Sequence, residues 1–236
     1  MKKVPIIMAM VVSIAFAGYA EAAKPKKRTR NANRVGAYGT ALIGNSSFKG
    51  DQSENEQELV SLFDNQGVPV RNVVGSTDNT DIGYQLGFGY RFNRYLAAEL
   101  NLVQFGQLSS QARGELDIGS GFVPASIKLS FSAGGPVISM IGILPLNDKF
   151  EFYARGGFMF ASAERQVTSR LDGQRSGFGS AKGDSTEALF GVGFAWHFNQ
   201  VYSLRAEYQK VDSIGEQSRT GTEELDYASV GMVIRF

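Results

Sequence analysis

Asp81-Ile82-Gly83-Tyr84-Gln85-Leu86-Gly87-Phe88-Gly89-Tyr90-Arg91-Phe92 is the stretch on which the fold turns. Its even positions, from Ile82 to Phe92, are large and apolar, whereas its odd positions, Gly83, Gln85, Gly87, Gly89 and Arg91, are small or polar. A period of two held over that length is a β-strand. The water-facing side of a soluble sandwich rarely needs so many glycines. A narrow membrane barrel does, because its lumen accepts small or paired polar side chains while its outer face meets lipid.

The pattern recurs. Phe150, Phe152, Ala154, Gly156, Phe158 and Phe160 alternate with Glu151, Tyr153, Arg155, Gly157 and Met159. Ala188, Phe190, Val192, Phe194, Trp196 and Phe198 alternate with a second set that ends in Ala195 and His197. Shorter alternations surround Ala98–Val103 and Leu204–Gln209, and a last one runs from Ala228 to Phe236. Two more apolar segments, Arg34–Gly44 and Val137–Leu144, read as strands whose facing the sequence leaves open. Pro136 suits the start of the second, where a missing donor costs little. The expectation is therefore eight strands.

Connection lengths supply a topology. Short turns fall at Asn93-Arg94, Pro145-Leu146-Asn147-Asp148 and Asn199-Gln200; long polar stretches fall at about 45–80, 107–125, 165–184 and 212–223. Short turns on one side and long loops on the other describe an outer-membrane barrel, and about 200 residues cannot supply a 16-stranded porin. The aromatic residues agree. Tyr90, Phe92, Tyr95, Phe150, Phe152, Trp196, Phe198, Tyr202 and Phe236 all lie near a short turn or the C-terminus. Folded this way, they form a girdle at the periplasmic interface.

The first segment reads as an address. Lys2 and Lys3 precede an apolar run from Val4 to Gly18, shorter than a spanning helix needs, and Ala20-Glu21-Ala22 is a small-x-small cleavage site. Residues 1–22 are thus expected to be a signal peptide and residues 23–33 a basic periplasmic tail, with the barrel over 34–236. That tail is either solvated or in contact with an anionic envelope component. From Val35 onward 16 Lys and Arg stand against 22 Asp and Glu, so the body is mildly acidic and no nucleic-acid partner is expected. The chain has no cysteine and a single histidine, which excludes disulfides, thiol chemistry and multi-histidine metal sites. No cofactor or metal is expected.

Tyr90-Arg91-Phe92-Asn93-Arg94-Tyr95-Leu96-Ala97-Ala98-Glu99-Leu100 resembles the strand–turn–strand segment of outer membrane protein A-like small barrels, and Leu144–Phe150 resembles their next turn. The ending, with Val230, Met232, Ile234 and a terminal Phe236, is similar to the signal read by the barrel-assembly machinery. The resemblance covers about residues 34–236. It implies an all-β, eight-stranded antiparallel transmembrane barrel with short periplasmic turns. It also implies partners in outer-membrane lipid, lipopolysaccharide and, during biogenesis, the assembly machinery. The peptidoglycan-binding domain of full-length members is not expected here, and cell-wall anchoring with it.

Counting from the short turns places Glu99, Arg155, Arg205 and Glu207 in the middle of the lumen, with Gln85 and Asn101 nearby. Two acids and two bases in so narrow an interior should pair. The network either fills the barrel or, as the resemblance implies, gates it. His197 is the one candidate base for lipid-modifying chemistry, with no serine adjacent in sequence, and neither G-x-x-x-x-G-K-[ST] nor G-x-S-x-G occurs. In the first long loop Ser53-Glu54-Asn55-Glu56 is a capping box before Leu59, Val60, Leu62 and Phe63, which predicts a short amphipathic helix. Asp51, Glu54, Glu56 and Glu58 lack the spacing of a calcium loop.

The expected role is non-catalytic: structural, or surface interaction through the extracellular loops with a ligand or host receptor the sequence does not name. A narrow gated pore and a lipid A-modifying enzyme are the rival readings. Export makes the first prediction. N-terminal sequencing of the protein from outer membranes should read Ala23-Lys24-Pro25, and a chain starting at Met1 would overturn the signal-peptide assignment.

Overall fold

The computed structural model describes residues 34–48, 70–78, 80–117, 119, 121–214 and 223–236. Residues 1–33 and the capping-box segment around Ser53–Phe63, with the expectations placed on them, lie outside that set.

Nine strands follow one another: β1 (Gly36–Phe48), β2 (Val70–Asp78), β3 (Thr80–Arg91), β4 (Leu96–Asp117), β5 (Phe122–Pro145), β6 (Phe150–Leu171), β7 (Gln174–His197), β8 (Tyr202–Ile214) and β9 (Glu223–Arg235). All pairings are antiparallel, and the sheet closes on itself through β4 and β5. β2 and β3 pair with successive stretches of the same edge of β4, Ser109–Leu116 and Ala97–Gln104. They occupy one position in the ring, which is therefore eight-membered.

The three short turns share one device. Asn93 Oδ1 accepts from the Tyr95 amide at 2.7 Å, Asn147 Oδ1 from Lys149 at 2.8 Å, and Asn199 Oδ1 from Val201 at 2.8 Å. An asparagine that mimics a backbone turn is what such a connection favours. Facing follows the alternation, and the two undecided strands resolve: Tyr38, Thr40 and Leu42 of β1, and Val137, Ser139, Ile141 and Ile143 of β5, point into the lumen.

Two of the long polar stretches are not loops. β4 and β5 run on to Asp117 and Phe122, and β6 and β7 to Leu171 and Gln174. At the second tip Asp172 and Gly173 have φ of 48° and 75°, the two left-handed residues of a primed hairpin turn. Along these extensions the outward residues turn mainly polar, with Phe122 and Phe178 the exposed aromatics near the tips. After Phe160 come Ser162, Glu164 and Gln166, and beyond Ala188 toward the tip lie Thr186, Asp184 and Lys182. From Ser162 to Leu171 that is about 30 Å of strand. On the other face of the β4–β5 extension Ala112 and Ala125 are packed by Leu116, Ile127 and Leu129.

Glycine sits in the lumen where tyrosine must cross it. A Cβ on Gly89 would come within 2.3 Å of the Tyr38 ring, and one on Gly193 within 2.1 Å of Tyr153. Gly193→Val should therefore displace Tyr153 and destabilise the barrel by about 1–3 kcal/mol, the usual cost of overpacking. Gly142→Val, where nothing lies within 4 Å of a new Cβ, should leave urea unfolding in vesicles unchanged within about 0.5 kcal/mol.

Candidate functional site: the layered lumen

The lumen carries three layers, each built by the same odd or even parity of successive strands. The middle one holds all four charged residues expected there. Glu99 accepts from Tyr38 Oη at 2.7 Å and from Arg205 Nη1 at 2.7 Å, and its other oxygen takes Arg155 Nη2 and, at 3.3 Å, Asn101 Nδ2. Arg155 Nε lies 2.9 Å from Glu207 Oε1. Glu207 Oε2 accepts from Tyr153 Oη at 2.9 Å, and that hydroxyl accepts from Arg205 Nε at 2.7 Å. The guanidinium of Arg205 also stacks 4.3 Å above the Tyr153 ring. Two acids and two bases thus neutralise one another, with the tyrosines completing the hydrogen bonds. Gln209 donates to Gln85 at 2.8 Å, and Thr40 to Asn101 at 3.3 Å.

Toward the extracellular side the lumen becomes apolar. Phe48, Phe105, Phe131, Val137, Met159, Leu189, Ile214, Leu225 and Tyr227 form one buried cluster. Phe48 meets Phe131 edge to face at 5.8 Å, and Phe105 meets Tyr227 at 5.4 Å. Met159, Leu189 and Val103 fall on the inner parity of alternations legible in the sequence, whereas Phe48, Phe131, Ile214 and Leu225 come from segments beyond the lipid band or from β1 and β5, whose facing was open.

The third layer closes the periplasmic end. Arg91 Nη1 contacts both oxygens of Glu151, at 3.1 and 3.0 Å, and its Nε and Nη2 donate to the carbonyls of Asn93 and Arg94. His197 Nε2 lies 3.3 Å from Glu151, and His197 Nδ1 lies 2.7 Å from Ser203 Oγ. A serine does stand beside the histidine, across the turn. The signal for it was the four-residue connection itself, which sets Ser203 opposite His197 in register. Ser203 is wholly buried and accepts from Arg235 at 2.7 Å.

On the outside, Tyr90, Phe92, Tyr95, Phe152, Trp196, Phe198, Tyr202 and Phe236 are exposed at the turn end, and Phe150 is half-buried against Phe194 and Trp196. In β9, Val230 is exposed while Met232 and Ile234 are half-buried. The Phe236 amide donates to Ala37, extending the seam between the last strand and the first.

A family model for the OmpA-like transmembrane domain matches residues 32–236. The chain belongs to that family. It is an outer-membrane β-barrel, and the outer membrane is its location. This OmpA-like chain is 27% identical over its whole length to outer membrane protein A of Yersinia pseudotuberculosis, of which it covers 56%. It is 26% identical over 70% of its length to outer membrane protein A of Klebsiella pneumoniae, covering 44% of that protein. The chain spans about half the length of the curated relatives it matches. Among solved structures, OprG of Pseudomonas aeruginosa has a TM-score of 0.43 at 16% identity, with 89% of this chain and 99% of that one covered. Ail of Yersinia pestis, crystallised with the heparin analogue sucrose octasulfate, has a TM-score of 0.37 at 13% identity, with 85% and 99% covered.

Within this OmpA-like barrel the ion network makes a prediction. Arg205→Ala strips Glu99 and Glu207 of a buried partner and should cost about 3–5 kcal/mol. Arg175→Ala, on the exposed β7 extension, should cost at most about 1 kcal/mol. Urea unfolding in lipid vesicles measures both; equal losses would mean that the network does not hold the barrel together.

Proposed function

We propose that the protein works as a non-catalytic surface-interaction barrel, with the projecting β4–β5 and β6–β7 hairpins as its working surface. The observation that carries this reading is the change of the outward face from apolar to polar while the strands run on into the extracellular space. A strand pair that only spanned lipid would end where its apolar face ends. An extended sheet of this kind offers backbone edges and a two-sided surface to a macromolecule. Among the described residues, the ladder of β7 from Gln174 to Ala188 is with β6, and its ladder with β8 starts at Leu189.

The gated-pore reading is weaker for a physical reason. Two independent layers, one ionic and one apolar, stand across the same narrow bore, and an apolar constriction opposes water even where an ion pair opens. The enzyme reading is weaker because Ser203, the hydroxyl beside His197, is buried and already engaged by Arg235. A nucleophile must reach its substrate.

The accompanying assignments extend this proposal. Residues 1–22 direct export, residues 23–33 form a basic tail in the periplasm, and Val230, Met232, Ile234 and Phe236 serve the assembly machinery. Lipid and lipopolysaccharide surround the band, with Tyr90, Trp196 and their companions as the periplasmic girdle. The partner of the hairpins is a surface ligand or host receptor.

Hairpin shortening tests the proposal. Joining Gln104 to Gly134 and Ser162 to Asp184, each a paired position, through two-residue Asn-Gly turns removes the projections and keeps the lipid band. Cells carrying that variant should show the same heat-modifiable folded band but lose at least about tenfold in attachment to host cells or matrix. The unaltered protein should give no single-channel steps in planar bilayers. Unchanged attachment by a folded, shortened barrel, or clear channel steps from the unaltered one, would overturn the reading.

A further inference from the structure

Three strands that descend to the periplasmic side end in the same way: Tyr90-Arg91-Phe92, Trp196-His197-Phe198 and Ile234-Arg235-Phe236. In each an apolar residue faces outward, a base faces the lumen, and a phenylalanine follows. The repetition gathers Arg91, His197 and Arg235 into a single layer at the mouth of the barrel. Glu151 is the carboxylate that meets them, bound by Arg91 through both oxygens and 3.3 Å from His197. Arg235 is left with neutral partners. It donates to Ser203 Oγ at 2.7 Å and lies 3.3 Å from His197 Nδ1, with no carboxylate within 4 Å among the described residues.

The imbalance extends to the next layer. Among the described residues the carboxylates of the periplasmic half are Glu99, Glu151 and Glu207, with Asp148 at the mouth, and the guanidiniums are Arg91, Arg155, Arg205 and Arg235, with Arg34 at the mouth beside Asp148. Glu99 and Glu207 are consumed by Arg155 and Arg205. One cation is in excess, and an uncompensated charge in a narrow protein interior is costly. A cavity of about 30 Å³ lies between the two layers, lined by Tyr38, Arg91, Glu151, Tyr153, Arg205 and Arg235, over a floor of Ile141, Ile143 and Val233. That is room for one or two water-sized species. Glu151 also lines it, but Arg91 answers that charge.

We propose that this cavity is a binding site for a small inorganic anion of halide size, held by Arg235 as the counter-ion that the described residues of the lumen do not supply. The ligand reaches the cavity from the periplasmic side, past the layer of Arg91, Glu151 and His197. Its size follows from the cavity, which is too small for a lipid headgroup. Its sign follows from the surplus guanidinium. Water alone would fill the volume and leave the charge unanswered.

Chloride and gluconate separate the cases at equal ionic strength, since the second anion cannot fit. Refolded in detergent, the full chain should unfold about 3 °C higher in chloride than in gluconate, as expected for a ligand that binds only the folded state. Arg235→Gln should abolish that difference, whereas Arg175→Gln should keep it. Bromide-soaked crystals should show an anomalous peak beside Arg235. Equal melting of the unaltered protein in the two salts, or a chloride effect that survives Arg235→Gln, would overturn the proposal. If Arg235→Gln does not refold, the bromide experiment on the unaltered protein decides: a peak in the cavity supports the site, and an empty cavity refutes it.

Discussion

In hydrocarbon no water is available to a free amide, so a sheet that crosses a bilayer must pair its last strand with its first. Nearly everything else in this structure follows from that closure. The β1–β9 seam runs from Tyr38↔Arg235 to Phe48↔Leu225, and β4–β5 pair along almost their full length. Closing with eight strands fixes a bore too narrow for open water. The bore in turn dictates glycine under Tyr38 and Tyr153, and it forces Glu99, Glu207, Arg155 and Arg205 into mutual contact.

The two faces of the sheet were legible to different depths. Wherever the outward face meets lipid, alternation names the strand, its facing and its lumenal residues, which is why Glu99, Asn101, Arg155, Arg205 and Glu207 could be placed from sequence. Where the outward face meets water, both faces carry small and polar side chains and the contrast fades. The upper halves of β4 to β7 therefore read as loops although they are strands. The local clue was turn chemistry: Asp172-Gly173 is a hairpin signal, and the strand partners on either side of it, Leu171 and Gln174, follow from it. Part of the apolar layer was hidden for a related reason. Phe48, Phe131 and Ile214 come from segments without a lipid-facing apolar partner set to mark their parity.

The lumen and the projecting sheet divide the work of the sequence. In the middle layer of the lumen the charged residues are spent on one another. The hairpins are the reverse: their outward residues Ser162, Glu164, Gln166, Lys182 and Asp184 point to solvent on a rigid frame continuous with the membrane strands. In the proposed surface-interaction role, a surface anchored in this way would not have to order itself on contact, which lowers the entropic cost of association.

The hairpin tip at Asp172-Gly173 also bears on how the chain reaches its shape. Leu171 and Gln174 are joined by two residues, so pairing of β6 with β7 can begin there at almost no loop-closure cost and extend by adding neighbours along more than twenty residues of each strand. The seam between β1 and β9 joins residues separated by about 200 positions, and its closure entropy is the largest in the molecule. Local zippering and distant sealing are thus opposite ends of one reaction coordinate. The long hairpin supplies a preformed template whose edges wait for the rest of the ring.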